Sequence, residues 1–252
     1  MTLTLITATY NSEKHIATCL QSVAAQDYPH IEHLIIDGRS NDDTIKIIEH
    51  SGYLQRRGVK LISEEDQGIY DALNKGIAMA SSDVIGFLHS DDLLESSTVI
   101  SDIVNTFKEF DCDGVYGDLV YVKENDTDQV VRYWKSSDFR PELLRRGWMP
   151  AHPTLFLNRR VYGERGSFNT DYRIAADYEF ILRVFKEKSY TFHYLPQVLV
   201  RMRLGGLSNS GIKNLIQKSK EDLKALKAHK VGGIFVVLRK ILGKIGQFGG
   251  SG

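Results

Sequence analysis

Two adjacent carboxylates, Asp91 and Asp92, follow an apolar run in the stretch GFLHSDDL. Like charges repel, so such a pair needs a cation, a hydrogen-bond network or solvent. A hard divalent cation takes oxygen ligands and commonly combines one or two carboxylates with substrate phosphates. One reading of the pair is therefore a metal that grips a diphosphate. The other is a helix N-cap with an acidic first turn, which stabilises the helix dipole. Asp37, in DGRSNDDT, poses a similar choice. It is either a turn or cap residue, or a carboxylate that accepts a hydrogen bond from a base or ribose. Further polar side chains close other apolar runs: Thr9, Tyr10 and Asn11 after TLTLITA, and Glu64, Glu65 and Asp66 after VKLIS.

The elements that must position these groups follow from hydrophobic periodicity. Residues 2–8, 31–37, 59–63 and 84–88 read as strands. Between them, Ile16, Leu20, Val23 and Ala24, then Ile69, Ala72, Leu73 and Ile77, recur at helical spacing, and Val99, Ile100, Ile103, Val104 and Phe107 mark another helix. Alternating β and α over the first 110 residues predicts a mostly parallel, doubly wound sheet with right-handed crossovers. Ligands bind such sheets beyond the carboxyl ends of the strands, and all four polar clusters fall there. After residue 110 the alternation fades. Residues 114–122 and 130–134 read as a strand pair with 124–129 as its turn, 139–147 as a short helix, 175–186 as a longer one, and 197–203 as a late strand. Two helices close the chain, the second with Ile234, Leu238, Ile241, Leu242 and Ile245 on one stripe, and residues 249–252 read as a flexible end.

Composition narrows the class. The chain has 252 residues, 42% hydrophobic and 25% charged, so it is globular and long enough for a sizeable core. Cys19 and Cys112 show no disulfide or zinc spacing, which fits a reducing compartment. The first residues lack the basic segment of a signal peptide, and no apolar run is long enough to span a membrane. The net charge is zero but uneven: residues 213–244 hold nine Lys or Arg against two acids, +7, which leaves −7 on the rest. The basic, apolar tail is read either as a helix packed on the body or on a second subunit, or as an amphipathic segment on an anionic membrane. Nucleic acid is not expected, since the charge is confined to the tail and no nucleic-acid motif accompanies it.

After the first strand the chain reads TATYNSEKH, with neither GxGxxG nor GxxxxGK[ST]. That argues against dinucleotide oxidoreductases and P-loop hydrolases. It also argues against a sugar-1-phosphate nucleotidyltransferase, whose sheet is related but which should carry a basic, glycine-rich loop there. Taken in order, TATYNSEKHIATCLQSV, IIDGRSNDDT and EEDQGIYDALNKGIAMASSDVIGFLHSDD resemble the inverting family 2 glycosyltransferases of GT-A fold, and MPAHPTLF, AADYEFILR and RMRLGGLSN continue the likeness more weakly.

The resemblance implies a metal-dependent enzyme that moves a sugar from a nucleotide-diphosphate sugar, UDP being favoured, to a glycan or polyprenyl-linked acceptor in surface polysaccharide assembly. It implies a nucleotide-sugar-binding half at 1–110, an acceptor-binding half at 111–210 and basic amphipathic helices at 211–248. Thr9, Tyr10 and Asn11 would frame the nucleotide, Asp37 would read the base, and Asp71 and Lys75 would line the donor pocket. Asp91 and Asp92 would match the acidic motif that holds Mn2+ or Mg2+. His89 stands where that motif often has its first acid, so which aspartate meets the metal and which the ribose stays open. Asp177 matches the catalytic base, although by itself it reads as a helix N-cap. His152 is a turn histidine or a neighbour of the acceptor pocket. Arg201 and Arg203 form a solvated face or reach the diphosphate, with Ser208 nearby. Trp134, Trp148 and Tyr172 belong to the core or stack on sugars. A cytoplasmic protein, peripheral on the inner membrane face and open to homo-oligomerisation, would suit these roles. The remaining alternative is a non-catalytic GT-A-like binding or scaffold protein.

Overall fold

Strands buried on both faces become near-continuous apolar runs, and LTLITAT and IEHLIID are such runs. In the computed structural model, which describes residues 1–205 and 212–245, these become β1 (Leu3–Thr9) and β2 (Ile31–Asp37), alternating with α1 (Ile16–Ala24) and α2 (Thr44–His50). β3 (Val59–Ser63), α3 (Ile69–Met79), β4 (Val84–Phe87), β5 (Leu93–Leu94) and α4 (Val99–Phe110) complete the first half. β1 pairs in parallel with β2 and β4, and β2 with β3. The alternate side chains divide cleanly. Leu3, Leu5, Ile35 and Val84 pack with α1 and α4, while Ile6, Ala8, Ile36 and Phe87 pack on the other face with α3 and the later helices. Burial on both sides fixes the register, because a one-residue slip would exchange the two faces.

The second half extends the same sheet with mixed pairing. β6 (Gly114–Lys123) and β7 (Asp126–Trp134) form a hairpin whose turn is 124–125, tighter than the six-residue turn expected. β8 (Phe156–Asn158) runs antiparallel to both β4 and β6, which joins the two halves. β9 (Phe192–Arg203) runs parallel to β6 and starts five residues before the expected strand. Its pairing jumps from Tyr194 to Val198, so the ladder steps around Pro196. The sheet order is β3-β2-β1-β4-β8-β6-β9-β5, with β7 alongside β6. Gly86 in β4 is required by this join: a Cβ there would lie 2.1 Å from the Phe156 ring of β8.

Helices α5 (Pro141–Leu144), α6 (Arg159–Arg165) and α7 (Ala176–Phe185) follow the hairpin, and α8 (Ile212–Ala228) and α9 (Ile234–Ile245) close the described chain. Ala225, Leu226, Val236 and Val237 are buried in the same core as α7, so the basic tail packs on the body. The stripe that packs is not the one expected. Ile234, Leu238, Ile241 and Leu242 are exposed, and Val236, Val237 and Lys240 face inward. Trp148 sits against Tyr116, Phe139 and Phe185, and Tyr172 is buried, which makes both part of the core. Among the described residues no helix is long and apolar enough to cross a membrane. Ser208 and residues 249–252 lie outside the described residues.

Candidate active site

The carboxyl ends of β1, β2, β3 and β4 bring four loops together. Asn11, in the left-handed region at φ +48°, receives the Asn41 N–H on Oδ1 at 2.9 Å, and its own N–H donates to Ser40 Oγ at 2.8 Å. Ser12 Oγ lies 2.8 Å from Ser90 Oγ, which ties the β1 loop to the β4 loop. Gly38 approaches Asp66 so closely that a Cβ would lie 2.3 Å from the Asp66 carboxylate, which ties the β2 loop to the β3 loop. Thr9 is buried and Tyr10 exposed.

Three residues expected at the donor have partners within the protein. Asp37 is fully buried and accepts from Ser40 N at 3.0 Å, Ser40 Oγ at 2.5 Å and Ser63 Oγ at 2.7 Å. Its carboxylate orders the turn that follows β2. Asp71 receives the Gln67 N–H. Lys75 Nζ donates to the Glu65 carbonyl at 2.5 Å and lies 3.1 Å from Glu64 Oε1. These two residues hold the β3 loop.

The adjacent aspartates point to different surroundings, because the chain after β4 turns into β5 and not into a helix. α4 starts only at Val99, which removes the N-cap reading. Asp92 is fully buried. Its Oδ1 accepts the Arg203 N–H at 3.2 Å, and Oδ2 has no partner among the described residues. Burial, then the charge of Asp91, raises its carboxyl well above the ordinary range. In this structure Asp92 Oδ1 thus serves the backbone of Arg203, while Oδ2 is left for another partner. Asp91 is half-buried, and its charge is felt by His89 and Asp92.

Arg203 explains the ordering of this loop. It is buried, donates to the Asp91 carbonyl, to the Glu124 carbonyl at 3.2 Å and to Thr18 Oγ1 at 3.0 Å. Arg201 makes a two-toothed ion pair with Glu95, at 2.7 and 2.8 Å, and also reaches the Thr127 carbonyl. Both arginines thus cross-link loops within the protein.

Asp177 lies in the first turn of α7, but the N-cap is Ala175, so Asp177 does not cap the helix. Its carboxylate is half-buried, and Tyr70 Oη lies 3.2 Å from Oδ1. Burial pushes this carboxyl upward, yet Lys218 and Lys240, with the Tyr178 N–H, hold it below the ordinary value. His152 is stacked on Phe87 at 5.3 Å, lies 6.2 Å from the His89 ring and has an unpartnered Nε2. Burial lowers its pKa to about 4, so it is neutral at pH 7. One cleft therefore gathers Asp91, His89, His152 and Asp177.

The loop before α7 hangs from α8. Glu221 accepts the N–H groups of Arg173, Ile174 and Ala175 at 3.2, 2.8 and 2.9 Å. Lys240 of α9 donates to Asp222 at 2.9 Å and sits over the Tyr178 ring. Tyr70 could be found from the YDALNKG stretch. Lys218, Glu221 and Lys240 carry no local signal, because only the folding back of the tail brings them here.

A divalent cation at the β4 end of this cleft would meet the half-buried carboxylate of Asp91 and the His89 imidazole, whose buried Nδ1 lacks a partner among the described residues. Among the described residues no three His, Cys, Asp or Glu side chains form a cage. That donor set fits an ion that takes most of its oxygens from a diphosphate and water.

The sequence profile of "Glycosyl transferase family 2" matches residues 4–170. A "PGL/p-HBAD biosynthesis glycosyltransferase" of Mycobacterium tuberculosis is 30% identical over 238 residues, 93% of this chain and 87% of that protein. Among solved structures, Staphylococcus aureus TarS in complex with UDP superposes with a TM-score of 0.68 at 18% identity, over 90% of this chain and 65% of that one. A mannosyltransferase of Pyrobaculum calidifontis, in complex with GDP-Man and Mn2+, gives 0.67 at 18% identity, over 94% of this chain and 68% of that one. At these identities the structural likeness is one of fold.

Proposed function

Because the chain belongs to glycosyl transferase family 2, we propose that it moves a sugar from a nucleotide-diphosphate sugar to a hydroxyl of a glycan or lipid-linked acceptor, inverting the anomeric carbon. The observation that carries this reading is Asp177, a half-buried carboxylate kept ionised in the cleft that also holds Asp91. A general base must be deprotonated at working pH and within reach of the hydroxyl it serves. Lys218 and Lys240 favour the ionised form, and Tyr70 Oη, which donates to the Ile174 carbonyl at 2.8 Å, lies 3.2 Å from one carboxylate oxygen. Neutral His152 adds no competing charge beside it.

On the donor side, the cross-linked loops after β1 and β2 offer the nucleotide a surface whose shape is set before binding. Asp37 contributes by fixing Ser40, and Asp71 and Lys75 by fixing the loop 64–67. Asp91 with the substrate diphosphate would hold Mn2+ or Mg2+, which as a Lewis acid neutralises charge on the leaving nucleotide. UDP is the first nucleotide to test, with GDP beside it, since the two solved relatives above were captured with UDP and with GDP-Man.

Asp177→Asn is the direct test. The variant should bind nucleotide sugar as the parent does, measured by calorimetry with Mn2+, and lose transfer by roughly 10²–10⁴-fold. Normal turnover by Asp177→Asn would refute the base assignment. A product of retained anomeric configuration from the parent, read by NMR, would refute the single displacement.

A further inference from the structure

The outer face of α9 has no partner among the described residues. Phe235 is 78% exposed and Leu242 65%, and Ile234, Leu238 and Ile241 lie exposed beside them. At about 100° per residue these five fall on the side of the helix opposite Val236, Val237 and Lys240, which face the core. The helix is thus apolar on both sides, with its second apolar side directed away from the body. Contiguous exposed patches of this kind mark interaction sites.

Charge identifies the occupant. The stretch 213–244 has two acids, and both are buried: Glu221 under the loop before α7, and Asp222 against Lys240. The exposed charges of the described hairpin are therefore all positive, and they include Lys220, Lys224, Lys227, Lys230 and Arg239. Two copies joined through this face would bring like charges together. A lipid surface with anionic headgroups matches both halves of the pattern: cations pair with phosphates, and an outward apolar stripe enters the headgroup–acyl boundary.

We propose that the α8–α9 hairpin docks the protein on an anionic lipid bilayer through Ile234, Phe235, Leu238, Ile241 and Leu242, with the hairpin's exposed lysines and Arg239 drawn to the headgroups. The docking does not depend on the glycosyltransferase reading, since it uses no residue of the cleft.

The test is co-sedimentation of the full chain with vesicles of phosphatidylcholine alone or mixed with phosphatidylglycerol. It is run at about 0.1 M and about 1 M salt, where charge is screened within about 10 and 3 Å. The parent should bind the mixed vesicles at low salt and be released at high salt. Leu238→Glu/Leu242→Glu should bind about tenfold or more weakly with an unchanged melting temperature, because both side chains face solvent. Lys224→Gln/Lys227→Gln should lose part of the binding and keep the fold. Absence of vesicle binding by the parent would overturn the proposal. So would equal binding to both vesicle types. Light scattering that shows a dimer dispersed by Leu238→Glu/Leu242→Glu would assign the face to a second copy instead.

Discussion

Replacing Glu221 should disable the site from a distance. Its carboxylate accepts the three consecutive N–H groups of Arg173, Ile174 and Ala175, which lead into the helix that carries Asp177. A hydrogen bond to a charged group contributes about 1.5–3 kcal/mol, and a buried donor left without a partner costs about 1–3 kcal/mol. Two of the three bonds are short and the Ala175 N–H is buried, so Glu221→Ala should lose about 3 kcal/mol, the contributions overlapping more than adding. For a chain of this size that is roughly a 6–12 °C fall in melting temperature. Glu221→Gln keeps an acceptor oxygen and should lose about 1 kcal/mol. Burial raises the Glu221 carboxyl, but Gln217 and the three N–H groups bring it below its ordinary value of 4.5. A depressed carboxylate stabilises the fold above the unfolded-state value and loses that contribution as pH falls through the folded one. The gap between parent and Gln variant should therefore be full at pH 7 and close in acid. Thermal denaturation monitored by circular dichroism measures both effects. With the loop loosened, kcat should fall while the KM for donor changes little. A Glu221→Ala variant that melts within 2 °C of the parent, a bound set by about 0.5 kcal/mol, would refute the reasoning. So would one that is destabilised yet turns over normally.

The two aspartates should separate cleanly. Asp91→Ala should weaken metal-dependent nucleotide binding in calorimetry and leave the melting temperature near that of the parent, whereas Asp92→Ala should act first on stability because its carboxyl is buried against Arg203. His33 bridges Thr7 Oγ1 and Tyr53 Oη in the core, and burial drops its pKa from 6.5 to about 3. The unfolded chain takes up this proton first, so stability is full above pH 6.5 and falls by about 1.4 kcal/mol per unit below it, toward pH 3. Urea titrations of the parent and His33→Gln between pH 7 and pH 4.5 should show that slope in the parent and its loss in the variant.

How much was legible beforehand depended on the range of the interactions. The parallel half was readable because each strand and helix declares its faces within a few residues, as Ile6 and Ala8 do against Leu3 and Leu5. The two-residue strand β5 is too short to show a period, and the step around Pro196 cut β9 in half as a pattern. Asp91 and Asp92 are chemically identical neighbours. Only the turn after β4, pinned by Arg203 from 111 residues away, decides which of them is buried. Asp177 was legible through resemblance alone, and the cations beside it not at all. In α9 the most regular apolar stripe proved to be the outer one, because the inner face is completed by Lys240, a residue that periodicity assigns to solvent.

The hanging of the loop before α7 from α8 also sets where the protein can be cut. The family match ends at residue 170, before Asp177, and the sheet ends at Arg203. A fragment stopped after β9 would keep every strand and still lose the acceptor for three backbone donors, two cations beside Asp177, and the buried Ala225, Leu226, Val236 and Val237. The hairpin is therefore part of the cooperative unfolding unit and not a detachable appendage. Truncation from the C-terminus should erode thermal stability and turnover together, beginning with the loss of Lys240.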